Sequence, residues 1–84
     1  MNLEKLREET DQIDLDMMVL FKKRMELSLL IGAYKKEHQL PVLDKNREQW
    51  LLLKRKEQFD DELLWPYYER ILKELMKVSR EYQE

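Results

Sequence analysis

Arg24, Lys35, Ser79 and Gln83 are polar residues set among apolar neighbours, and together they could grip and polarise an anionic small molecule. Arg24 occupies a position between Leu20, Leu27 and Ile31 on a helical repeat, where an unpaired guanidinium is too costly to bury. Something anionic must meet it, either a glutamate on a later helix or a ligand. Lys35 follows 11 residues on, a rotation of roughly 20° and a rise of about 16 Å along a helix, so it points the same way. By itself it also reads as a solvated helix-end lysine. Arg7 lies about 25 Å from Arg24 along the same helix, too far for both to hold one small ligand from one chain. If Arg7 belongs to the same site, a second copy supplies it.

Ser79 and Gln83 are spaced i, i+4 and continue the stripe Leu72, Leu75, Met76, so both face inward. Their alternatives are a serine bonding back to a helix carbonyl and a frayed terminal glutamine. Asp44, Arg47 and Glu48 stand at the start of a further helix. Asp44 serves equally as a plain N-cap, and the rotation of that helix decides whether Arg47 and Glu48 project inward.

The elements that must position these groups are helices. In 84 residues there are one Gly, two Pro and no Cys, with 43% hydrophobic and 40% charged residues, which leaves little material for hairpins or Gly-rich phosphate loops. From Leu3 to Tyr34 the positions 3, 6, 10, 13, 17, 20, 24, 27, 31 and 34 step by three and four, and eight of the ten are apolar or aromatic. A second stripe, Met18, Phe21, Met25, Ser28 and Gly32, ends in small residues that admit another helix closely. Helix 1 is predicted over about residues 3–37, stopping before Leu40-Pro41. Helix 2 is predicted over about 44–56. Helix 3 is predicted over about 61–83, with an aspartate of Asp60-Asp61 as cap and Pro66 near its first turn.

A single small all-α domain over residues 1–84 is therefore expected. Its first helix would extend roughly 52 Å. A compact chain of this size has a radius of gyration near ~12 Å, so the helix must protrude and its apolar stripe needs a second chain. The net charge of −2, with 16 Lys+Arg against 18 Asp+Glu interspersed, offers no basic field for nucleic acid and no polybasic segment for lipid. Apolar runs are too short to span a bilayer and the N-terminus is charged, so a soluble cytoplasmic protein is expected. Without Cys and with one His, a thiolate or His-based metal site is not expected.

Taken in order, Leu6-Arg7-Glu8-Glu9 with Ile13-Asp14, Arg24-Met25-Glu26-Leu27 leading to Ile31-Gly32 and Tyr34-Lys35-Lys36, Pro41-Val42 with Asp44 and Arg47-Glu48, then Ser79 with Gln83, resemble the all-helical class of chorismate mutases over essentially the whole chain. The resemblance implies an intertwined homodimer of three-helix chains, using no cofactor, that converts chorismate to prephenate. It implies that Arg24 and the other subunit's Arg7 bind the substrate carboxylates, and that Lys35 and Gln83 bond the ether oxygen. Glu48 and the backbone near Asp44 would hold the ring hydroxyl, Ser79 would assist at a carboxylate, and Arg47 would order the neighbouring charges. An isochorismate pyruvate lyase shares this fold and a similar cationic site. A non-catalytic helical dimerisation module is the alternative from another class, but leaves Arg24, Lys35, Ser79 and Gln83 without a reason to co-occur.

Overall fold

The computed structural model describes residues 2–84, which form three helices in the order α1 (Leu3–Glu37), α2 (Lys45–Phe59) and α3 (Trp65–Gln83). The chain is all-α. Helix α1 opens on Asn2, whose side chain accepts the Lys5 N–H at 2.8 Å, supplying one of the partners that a helix start lacks. It closes where Gln39 takes a left-handed φ of 57° and the Leu40 N–H reaches back to the Lys35 carbonyl at 2.7 Å, with Pro41 just beyond. Lys35 and Lys36 in the last turn suit the negative end of the helix dipole.

Helix α2 begins at the N-cap Asp44, whose carboxylate accepts the Arg47 N–H at 3.0 Å. It runs on to Phe59, three residues past the predicted end at Lys56, because Phe59 still has an apolar surface to cover against Trp65 and Tyr68. Asp60, left-handed at φ 50°, then ends it. Helix α3 starts at Trp65 rather than at 61. Asp61 instead caps a separate turn, accepting the Leu64 N–H on its carboxylate and the Trp65 N–H on its carbonyl. Pro66 has no N–H to extend that turn, so the regular helix is counted from Trp65.

Helix α3 packs against both other helices. Trp65, Leu72 and Met76 form the buried core, with Leu51, Leu52 and Phe59 of α2 laid against them. Trp65 therefore belongs to the core, whereas Trp50 is half exposed beneath the Arg47 guanidinium, 4.7 Å from its ring centre. On α1 the only buried residues among those described are Ser28 and Gly32. The small end of the second stripe thus meets α3, and the heptad stripe is left uncovered: Leu3 is 61% exposed, Ile13 59% and Leu20 63%. The radius of gyration is 16.0 Å and the long axis 55 Å, so α1 projects well beyond the packed end of the chain. No helix of the described residues is long and apolar enough to cross a membrane.

Candidate active site

The packed end holds a cleft of about 510 Å³ walled by all three helices, a size suited to a small molecule. Arg24 and Lys35 enter it from α1, Asp44, Arg47 and Glu48 from α2, and Ser79 and Gln83 from α3. Seven of the eight candidates named from the sequence thus share one cavity. Arg7 does not line it, being exposed on the free half of α1.

The contacts fix these groups in particular attitudes. An Arg24 guanidinium nitrogen donates to the Ser79 hydroxyl, joining α1 to α3, while Ser28 donates to the Arg24 carbonyl at 3.0 Å. The Lys35 ammonium donates to the Val42 carbonyl at 2.7 Å and to Gln83 Oε1 at 2.9 Å. Gln83 accepts through its oxygen, so its amide NH₂ is left to donate to a third party. Lys35 likewise keeps one of its three protons. Glu48 is gripped from α3 by Arg80, one guanidinium nitrogen lying 2.6 and 2.5 Å from the two carboxylate oxygens.

Burial pushes the Arg24 guanidinium below its ordinary value; Tyr68 opposes that shift and the like charge of Arg55 adds to it. An anion in the cleft would oppose that shift. Five basic side chains, Arg24, Lys35, Arg47, Arg55 and Arg80, line the cavity against the two carboxylates of Asp44 and Glu48. The chain as a whole carries −2, so the positive charge is concentrated where a ligand would sit.

The family model for chorismate mutase type II matches residues 6–84, nearly the full chain and every helix that builds this cleft. The chain belongs to the type II chorismate mutase family. It is 39% identical over 54 residues to the T-protein of Haemophilus influenzae, a match that covers 64% of this chain but only 14% of that protein. The chain therefore spans a small part of the length of that relative. It also resembles the solved structure of a conserved hypothetical protein from Pyrococcus furiosus, with a TM-score of 0.80 and 34% identity over 98% of this chain and 95% of that one.

In this chorismate mutase domain two cationic residues of the cleft escaped the sequence reading. Arg80 lies four residues after Met76, and Arg55 four after Leu51, so both prolong the inward stripes of their helices. That spacing was the available signal. The packing of the helices settles the rotation of α2: Glu48 turns inward with Leu51 and Arg55, while Arg47 sits exposed at the rim on Trp50.

Gly32 sets the distance between α1 and the end of α3. A Cβ there would stand 2.9 Å from the Gln83 carbonyl oxygen and 3.0 Å from its Cα, both backbone atoms that cannot swing aside. Gly32→Ala is expected to displace Gln83 from Lys35, lower the melting temperature by several degrees for about 1–3 kcal/mol of overpacking, and weaken any activity that depends on that pair. Thermal denaturation followed by circular dichroism checks the first effect; an unchanged melting temperature would show that α3 yields without loss.

Proposed function

We propose that this domain converts chorismate to prephenate, the step that commits chorismate to phenylalanine and tyrosine synthesis. The observation that carries the reading is the convergence of Arg24, Lys35, Ser79 and Gln83 on one cationic cleft, with donors on Lys35 and Gln83 still free. The reaction is a Claisen rearrangement. Within one molecule the ether carbon–oxygen bond breaks while a carbon–carbon bond forms, so no nucleophile or proton relay is required.

The domain supplies conformation and charge. Chorismate is a dianion, and guanidinium groups on both carboxylates select the compact conformer in which the two reacting carbons meet. Arg24, steadied by Ser79, holds one carboxylate. As the ether bond stretches, negative charge grows on its oxygen, where the free Lys35 proton and the Gln83 amide meet it. Glu48 and the backbone near Asp44 receive the ring hydroxyl, and Arg47 at the rim orders the neighbouring charges.

The second carboxylate falls to Arg7 of another copy. The uncovered heptad stripe of α1 gives two chains a reason to pair, and an intertwined homodimer brings the far half of one α1 over the other cleft. Inter-subunit complementation tests this. Arg7→Ala and Arg24→Ala are each expected to be nearly inactive, but unfolded together in equal amounts and refolded, they should regain about one quarter of wild-type activity through the single intact site in each mixed dimer. No recovery would place Arg7 outside the site.

The reaction itself is tested by incubating the purified chain with chorismate, following loss of the diene absorbance and identifying the product. Prephenate is expected. Inertness towards chorismate with release of salicylate and pyruvate from isochorismate would replace the mutase reading by a lyase; inertness towards both would leave a helical dimerisation module.

A further inference from the structure

Glu48 poses an electrostatic problem, since an ionised carboxylate stands in a cleft meant for a dianion. Its side chain is only 24% exposed, and both its oxygens lie against one guanidinium nitrogen of Arg80, itself 29% exposed, in a contact that ties α2 to α3 inside the cleft wall. The other charged or titratable groups facing the cavity are Arg24 and Lys35 from α1, Asp44, Arg47 and Arg55 from α2, and Tyr68 from α3. Asp44 is engaged as the α2 cap, Arg47 is drawn onto Trp50 and Arg55 donates to Gln58. Arg80 is thus the cation in hydrogen-bonding contact with Glu48.

We infer that Arg80 is a positioning residue for dianion binding, acting through Glu48: it cancels that carboxylate's charge and fixes its direction, so that Glu48 can accept a ring hydroxyl without repelling the ligand's carboxylates. One nitrogen of Arg80 occupies both oxygens along one edge, which leaves further lone pairs on the carboxylate for a hydroxyl donor. The inference rests on the chorismate reading above.

The test compares KM for chorismate in wild type, Arg80→Met, Arg80→Lys and Arg80→Met combined with Glu48→Gln, each shown to be folded by its helical circular dichroism. Arg80→Met is expected to raise KM about tenfold or more, because the unpaired Glu48 carboxylate then repels the carboxylates of the substrate. Arg80→Lys keeps the charge and should remain within about threefold of wild type. In the Glu48→Gln background the same Arg80→Met change should move KM by less than about threefold. A KM deficit that persists beside Glu48→Gln overturns the inference, as does an unchanged KM. If Arg80→Met does not fold, Arg80→Gln replaces it, keeping a hydrogen bond without the charge. Wild-type protein inert towards chorismate overturns the mutase reading and this inference with it; wild-type turnover with an Arg80→Met deficit that Glu48→Gln does not remove overturns the inference alone.

Discussion

Replacing Lys35 by alanine is expected to lower kcat by about 10²–10³-fold, and KM is expected to change far less. The asymmetry follows from the timing of charge. In the bound substrate the ether oxygen is a weak acceptor, so losing a donor to it weakens binding slightly. In the transition state that oxygen carries developing negative charge, and a fixed ammonium in a cleft with little water is then worth far more. Two of the three ammonium protons are held by Val42 and Gln83, at 2.7 and 2.9 Å, so the ammonium is fixed in place with one proton left to donate. Steady-state kinetics on chorismate decide the matter. An unchanged kcat would remove Lys35 from the ether oxygen, and a rise in KM alone would make it a carboxylate ligand instead.

The same lysine shows how far the sequence was legible. Periodicity alone put Arg24 and Lys35 on one side of α1, and the breaker Leu40-Pro41 set where that helix must stop. The small residues Ser28 and Gly32 announced a close helix contact, which α3 makes through Gln83. What periodicity could not give was rotation about the axis of α2, because Arg47 and Glu48 are adjacent and only packing against α3 distinguishes them. The turn at Asp61 was likewise hidden. Both Asp60 and Asp61 are good cap residues, but one ends α2 in a left-handed conformation and the other closes a turn before Trp65.

Arg80 illustrates a further limit. In sequence it is one more charged residue near the end of a helix with many, and solvated faces carry such residues as a rule. Its meaning lies in Glu48, 32 positions away, and that pairing exists only once α2 and α3 are docked. The uncovered stripe on α1 is the opposite case. Its heptad spacing was plain from the residues, and the single chain leaves those side chains exposed.

Changing Gln83 to glutamate is expected to reduce activity near neutral pH by about 10²-fold or more and to leave an enzyme whose rate climbs as pH falls. Gln83 uses its oxygen to accept from Lys35, which leaves its NH₂ to donate. A carboxylate in its place still accepts from Lys35 but has no proton for the ether oxygen, and its charge opposes the one developing there. Protonation restores a donor. The sign is therefore fixed: activity belongs to the protonated form, is absent well above its pKa and rises about tenfold per pH unit lost while the carboxylate predominates. Lys35 favours the ionised form and pulls this rise to more acid pH, whereas the nearby substrate carboxylates favour the neutral form and bring it back. Since Lys35 is the closest partner of this side chain, combining Gln83→Glu with a neutral residue at 35 should move the acid limb upward. A pH profile of kcat/KM for Gln83→Glu that runs parallel to wild type would show that position 83 donates nothing to the reacting oxygen, and would leave Gln83 the lesser task of holding Lys35 against Val42.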